Sequence, residues 1–250
     1  MSQQLISRSP DLQRLQDGRG MNPLLRNYWM IIHPPVLFLG FALTLVPFAF
    51  AAGALITRRY NEWIRPALPY TLAGVMVLGA GILMGGAWAY EALSFGGFWA
   101  WDPVENASLV PWLVLVAALH AMLIHRSRGR SLHIAFILSS ASFILVLYST
   151  FLTRSGILGE SSVHAFTDLG MSGQLIIYLF FFLLLSAFLI AWNYRKIPSA
   201  ASEDDNLSSR EFWMFTGILV LVISYFQITI TTSLPVINKI FHTAIAPPAN

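Results

Sequence analysis

The strongest constraint on this chain is the spacing of its charged residues. Six stretches of 20 to 31 residues contain no Asp, Glu, Lys or Arg. They are residues 27–57, 66–90, 106–125, 131–153, 169–194 and 212–238. A helix of about 20 mostly apolar residues crosses the hydrocarbon core of a bilayer, whereas a spanning barrel would show alternating segments of about ten residues. The sequence therefore predicts an all-α integral membrane protein with six transmembrane helices.

Composition excludes several other classes of protein. The chain is 56% hydrophobic and 11% charged, whereas soluble domains carry about 25% charged residues. High hydrophobicity with little charge also excludes intrinsic disorder. The chain contains no cysteine, which excludes disulfide scaffolds, iron–sulfur clusters, thiolate zinc sites and cysteine nucleophiles. The net charge of +3 is dispersed between apolar runs, so we expect contact with membrane lipid and none with nucleic acid.

Loop charges predict the orientation of the helices. The loops after the first, third and fifth helices hold nine basic residues. The loops after the second and fourth hold only one, Arg154, together with five acidic residues. Basic loops stay on the cytoplasmic side. We therefore expect both termini, and the loops near Glu91–Glu105 and Glu160–Asp168, to lie outside the cytoplasm.

The same pattern divides the chain into segments. They are a polar external tail (1–26), a five-helix core (27–197) with an aromatic loop (93–108), a polar cytoplasmic linker (198–210) that separates the core from a sixth transmembrane helix (211–238), and an external tail (239–250). The first tail lacks the apolar region of a signal peptide. An external tail without an export signal is expected if the chain is a fragment or one subunit of a split protein.

Aromatic residues are concentrated around the loop 93–108. They are Trp88, Tyr90, Phe95, Phe98, Trp99, Trp101 and Trp112. Two interpretations stay open: a belt at the membrane interface, or a platform for a flat ligand, with Gly96 and Gly97 giving the chain freedom to bend. Asp102 is predicted to cap the third helix, with Pro103 at its first position and Glu105 completing a capping box.

The six histidines differ in their predicted positions. We expect His125 and His133 to be interfacial and His242 to lie in the external tail. His33 lies near the outer end of the first helix, before Pro34-Pro35, which interrupt the backbone ladder. His33 and His164 fall on the side of the aromatic loop, as two axial ligands of a metallated macrocycle would. His120 lies about 22 Å along the third helix. There it either forms an interhelical hydrogen bond or serves as a ligand of a metal or haem.

Three motifs resemble the large haem-lyase subunits of the CcmF type, which belong to the tryptophan-rich (WWD) proteins of cytochrome c maturation. The first is Gly-Gly-Phe-Trp-Ala-Trp-Asp-Pro-Val-Glu-Asn-Ala-Ser at 96–108. The second comprises Asn-Pro-Leu at 22–24 and Ile-His-Pro-Pro-Val-Leu-Phe-Leu-Gly at 32–40. The third is Thr-Phe-Leu-Thr-Arg-Ser-Gly-Ile-Leu at 150–158, followed by Ser-Val-His-Ala-Phe at 162–166.

This resemblance implies roles for individual residues. His33 and His164 match the two external histidines that hold the iron of the haem being processed. Trp99 and Trp101 match the tryptophans that stack on that haem, in a loop that includes Gly96, Gly97 and Asp102. His120 matches a membrane histidine that ligates a resident b-type haem. The family's second membrane histidine has no match in this chain.

The resemblance also implies an activity, partners and a location. Two thiols of a C-x-x-C-H segment of apocytochrome c add to the vinyl groups of ferrous haem, with the resident haem as the electron relay. A haem chaperone and thiol-handling subunits would complete a hetero-oligomer in the bacterial inner membrane, active outside the cytoplasm. The alternative function is a haem carrier that forms no thioether bond. A solute transporter is a third alternative, although no paired broken helices are visible.

Overall fold

The computed structural model describes residues 25–92, 97–158, 170–199 and 209–245. Within these ranges the chain forms seven α-helices and no strand. They are α1 (Tyr28–Thr57), α2 (Ile64–Ala92), α3 (Pro103–Arg128), α4 (Leu132–Arg154), α5 (Ser172–Asn193), α6 (Arg210–Thr232) and α7 (Leu234–Phe241). All except α7 are long and apolar enough to cross a membrane. The predicted all-α membrane fold with six candidate spanning helices is confirmed, and the orientation of the termini stays a prediction.

Helix α3 lies at the centre of the bundle. It packs against α2, α4 and α6, while α1 packs against α2, α4 and α5. Small side chains of α3 are completely buried, among them Ala117, Ala118 and Ala121. Small residues let neighbouring helices approach closely in a membrane, where packing rather than hydrophobicity drives association. The main core therefore forms around the C-terminal half of α3.

The sixth helix lies closer to the core than the sequence indicated. We expected the linker 198–210 to separate it from five packed helices, but α6 packs against α3. The segment predicted as one helix, 211–238, is divided at Ser233 into α6 and α7. Pro235 explains this division, because it has no amide hydrogen to continue the ladder.

Helix α1 continues through the two prolines near its start. Pro34 and Pro35 lie inside the helix Tyr28–Thr57, although each removes one backbone hydrogen bond. Prolines are tolerated in spanning helices when neighbouring groups compensate for the lost bonds. The prolines therefore interrupt the ladder, as expected, without ending the helix, and His33 lies on α1 itself.

The two ends of the bundle differ in chemistry. The end that carries the α1–α2 and α3–α4 connections, with Arg128 bonded to Glu211 at 3.5 Å, is called the basic end. The opposite end carries residues 97–102, the start of α1 and the α6–α7 junction, and is called the aromatic end. Here Asn27 donates to Glu91 at 3.4 Å, and Tyr148 and Ser233 share a hydrogen bond of 2.6 Å.

Glycines bring α1 and α2 into backbone contact. A Cβ added at Gly40 would lie 2.5 Å from Cα of Leu78, and one at Gly81 would lie 2.8 Å from Cα of Leu37. Real Cβ atoms do not approach another backbone this closely, so both positions require glycine. The two contacts fix how α2 lies along the half of α1 that carries His33.

A matched pair of substitutions in α1 tests this contact. Gly53 has no neighbouring atom within 4 Å of an added Cβ, so Gly53→Ala should stabilise the helix by up to about 1 kcal/mol. Gly40→Ala should instead destabilise the protein by about 1–3 kcal/mol, because the methyl group overpacks against Leu78. Thermal unfolding in detergent, followed by circular dichroism, measures both. Equal shifts in the two variants would contradict the proposed contact.

Candidate functional site

The start of α3 is held by a capping box. The Asp102 carboxylate accepts a hydrogen bond from the amide of Val104 at 2.9 Å, and Oε2 of Glu105 accepts one from the amide of Asp102 at 3.3 Å. Pro103 is the first residue of the helix. The structure thus has the predicted box, which satisfies amides that a helix N-terminus leaves without partners.

Trp101 precedes this cap in an unusual backbone conformation. Its φ is +56°, in the left-handed region that non-glycine residues adopt at a cost of about 1–3 kcal/mol. The amide of the preceding residue, Ala100, donates to Oε2 of Glu105 at 2.9 Å. The carbonyl of Trp101 accepts from Nδ2 of Asn106 at 3.0 Å. The side chain of Trp101 remains 55% exposed.

Trp99 and Trp101 form one aromatic pair with unequal exposure. Their ring centroids are 6.3 Å apart, and the ring planes are inclined at 82°. Trp99 is half-buried, and its Nε1 is buried with no hydrogen-bond acceptor in the described part of the chain. The pair therefore presents one indole outward and directs the other toward the helices.

Trp99 and His33 line the same cavity. The cavity has a volume of about 90 Å³ and lies between α1, α2 and α3. Its lining also includes Trp88, whose ring centroid is 6.2 Å from that of His33. Glu105 and Ser108 reach it from the first turns of α3. The structure thus brings together a histidine and a tryptophan that are 66 positions apart in the sequence.

A pair of adjacent glycines on α2 shapes this cavity. A Cβ at Gly85 would lie 2.7 Å from Cε1 of His33, and a Cβ at Gly86 would clash with the ring of Phe98. Both rings therefore fit only because α2 has no side chain at these positions. The sequence signal was the Gly-Gly pair four residues after Gly81, a spacing that places small residues on one helix face. The role of these two glycines was not predicted.

A hydrogen bond determines the tautomer of His33. Nδ1 lies 2.7 Å from the carbonyl oxygen of Gly81. Because a carbonyl oxygen only accepts, Nδ1 carries the hydrogen, and the lone pair of the neutral ring lies on Nε2. An imidazole oriented in this way has the form that ligates iron or zinc through Nε2.

His120 is placed in the same tautomer, but at a different location. Its Nδ1 lies 2.8 Å from the carbonyl oxygen of Val116, one turn earlier in α3. The half-buried ring faces α6, where a Cβ at Gly217 would lie 4.0 Å from Nε2. His120 is not among the residues that line the cavity at the aromatic end.

The remaining predicted site residues have different outcomes. Gly97 has room for a side chain, since an added Cβ would meet nothing closer than the carbonyl oxygen of Trp99 at 3.8 Å. Gly96 and His164 lie outside the described residues.

Asn106, which holds the carbonyl of Trp101, was missed because its bond depends on a backbone conformation that the sequence does not reveal. Within the described ranges, no group of three His, Asp or Glu side chains could hold a metal ion alone.

Comparison with known proteins gives one consistent result. Residues 9–159 match the family described as cytochrome C assembly protein. The chain is 38% identical over 223 residues to the cytochrome c-type biogenesis protein CcmF of Pseudomonas fluorescens, covering 88% of this chain and 33% of that protein. It is 37% identical over 224 residues to CcmF of Escherichia coli K12, covering 89% of this chain and 34% of that protein.

A solved structure agrees with these matches. The structure described as cytochrome c heme lyase CcmF superposes with a TM-score of 0.66 at 31% identity, covering 84% of this chain and 32% of the other. The chain therefore spans about a third of the length of the relatives it matches.

Proposed function

This chain belongs to the cytochrome C assembly protein family, and from this premise we propose that it binds haem at its aromatic end and takes part in attaching that haem covalently to apocytochrome c. The observation that carries the proposal is the shared cavity of His33 and Trp99, with the exposed indole of Trp101 beside it. A ligating imidazole next to an aromatic platform is the combination that a flat iron macrocycle requires.

The size of the cavity indicates where haem would lie. Ligand-sized pockets usually measure about 300–1,000 Å³, and this cavity measures about 90 Å³. It therefore cannot enclose the macrocycle, most of which would lie outside it. The iron would lie at the half-buried imidazole of His33, and we propose that the ring extends from there across the exposed side chain of Trp101.

Each residue has a distinct part in this proposal. His33 would ligate the iron through Nε2, with its Nδ1 fixed on the carbonyl of Gly81. Trp99 and Trp101 would contact the ring by stacking and edge contacts. The family resemblance predicts that His164 is the second ligand of this iron, and this stays a prediction. Asp102 would act indirectly, by capping α3.

The covalent step needs groups from the acceptor. Each thioether forms when a cysteine S–H adds across a haem vinyl C=C, with sulfur bonded to one carbon and the hydrogen to the other. This chain has no cysteine, so both thiols must come from the C-x-x-C-H segment of apocytochrome c. The chain's own residues would hold haem still and expose its vinyl edge, and we assign none of them as a general base.

We propose a second haem-holding residue within the membrane. The lone pair of the neutral His120 ring lies on Nε2, and Nε2 faces Gly217 of α6, where no side chain stands between the ring and that helix. A resident b-type haem supplies one-electron transfer when bound. His120 is the residue of this chain that would hold it.

The family relationship also supports partners and a location. We propose that the chain works in the bacterial inner membrane with apocytochrome c, a haem chaperone and thiol-handling subunits, and that its aromatic end faces away from the cytoplasm. The bacterial relatives, the six apolar helices and the basic loops support this placement.

Substitution of the external histidines tests haem binding. The double variant His33→Ala, His164→Ala should lose the haem at the aromatic end, because both imidazoles proposed to ligate its iron would be absent. Haem titration followed by visible absorption measures this loss. His242→Ala is the matched control, since His242 is an exposed histidine just after α7. Full retention of haem at the aromatic end in the double variant would contradict the proposal.

A second experiment distinguishes attachment from carriage. The purified chain is mixed with ferrous haem and a C-x-x-C-H peptide, and the product is denatured and analysed by mass spectrometry. Attachment predicts a peptide heavier by one haem, and a peptide with serine in place of both cysteines should give none. Haem bound without any covalent product would favour the alternative of a haem carrier.

A further inference from the structure

The backbone around Trp101 is held from both sides. Oε2 of Glu105 accepts from the amides of Ala100 at 2.9 Å and of Asp102 at 3.3 Å, the residues that flank Trp101. Nδ2 of Asn106 donates to the carbonyl oxygen of Trp101 itself. Three backbone groups in a row are thus bonded to two neighbouring side chains.

These bonds explain why Trp101 stays in the left-handed region. A bulky residue adopts a positive φ only when its surroundings determine the conformation. Glycine would adopt it freely, yet the chain has tryptophan at this position. The conformation therefore has to be maintained by Glu105 and Asn106.

The two side chains are themselves anchored to the bundle. Asn106 is 6% exposed and lies in the first turn of α3. The next residue, Ala107, accepts a hydrogen bond through its carbonyl from the hydroxyl of Ser149 on α4. Val104 packs against the cluster of Phe151, Leu152 and Leu158. The groups that hold Trp101 therefore move with the helices, not with the loop.

Trp99 differs in this respect. Its indole lies against the cavity of His33, and its Nε1 makes no hydrogen bond in the described ranges. Neither Glu105 nor Asn106 bonds to the backbone of Trp99. The two tryptophans of the pair are therefore held in different ways, Trp101 through hydrogen bonds around its backbone and Trp99 through the packing of its ring.

We propose that Glu105 and Asn106 are positioning residues that fix the outward indole of Trp101 as a rigid stacking surface for haem. A preorganised aromatic surface loses less conformational entropy when a flat ligand binds. Without either side chain, Trp101 would be free to change its backbone conformation. This inference rests on the proposed function for its ligand, whereas the rigidity of Trp101 can be measured without haem.

Fluorine NMR of the full chain in detergent micelles measures that rigidity. The protein is labelled with 5-fluorotryptophan, and the Trp101 resonance is assigned by its disappearance in Trp101→Phe. We expect one narrow resonance in the unmodified chain. Glu105→Ala should broaden or split it, because the amides of Ala100 and Asp102 lose their acceptor. Glu105→Gln should restore the narrow resonance, because its amide oxygen can accept from both.

A second variant and a control keep the test independent of folding. Asn106→Leu has a similar volume and no donor, so it should also broaden the Trp101 resonance. Ser209→Ala removes the side chain that caps α6 by accepting from the amide of Phe212, and it should leave Trp101 unchanged. A narrow Trp101 resonance in both Glu105→Ala and Asn106→Leu would overturn the inference.

Ferric haem then tests the ligand separately. Its paramagnetic iron should broaden the Trp101 resonance beyond detection in the unmodified chain. Glu105→Ala should weaken haem binding by about tenfold, within the usual range for the loss of one aromatic contact, and Glu105→Gln should not. If haem leaves the Trp101 resonance unchanged while the apo variants still broaden it, the proposed haem platform fails and the positioning of Trp101 stands.

Discussion

Backbone groups inside a bilayer have no water to bond to, and this constraint determines where irregular structure can occur in the chain. The six long helices satisfy most of their amides and carbonyls internally, and within the described ranges the non-helical backbone lies at the ends of the bundle. At the aromatic end, Glu105 accepts from the amides of Ala100 and Asp102, and Asn106 donates to the carbonyl of Trp101. The capping box is therefore both the start of α3 and the support for the exposed tryptophan.

Close approach of α1 and α2 links this loop to the predicted iron ligand. Gly40 and Gly81 bring the two backbones together, and Gly85 and Gly86 leave room for the rings of His33 and Phe98. The carbonyl of Gly81 then orients the imidazole of His33. One glycine-lined face of α2 thus determines the helix packing, the position of the histidine and its tautomer.

Most of the architecture could be predicted from local sequence, whereas the geometry of the site could not. Charge-free runs predicted the six helices, and Asp102-Pro103-Val104-Glu105 predicted the cap of α3, because both depend on neighbouring residues. The meeting of His33 with Trp99 depends on tertiary packing, so the sequence indicated only a shared side of the membrane. The bond between Asn106 and Trp101 requires a left-handed φ that tryptophan rarely adopts. The contact of α6 with α3 was missed because a polar linker indicates a connection but not where the next helix packs.

The account depends on haem lying against Trp101 with its iron on His33. Cryo-electron microscopy of the haem-loaded chain in lipid nanodiscs tests this most directly. The account predicts planar density across Trp101 with its centre at bonding distance from Nε2 of His33, and any resident haem as separate density beside His120. Haem density only beside His120, or anywhere away from both His33 and Trp101, would contradict it.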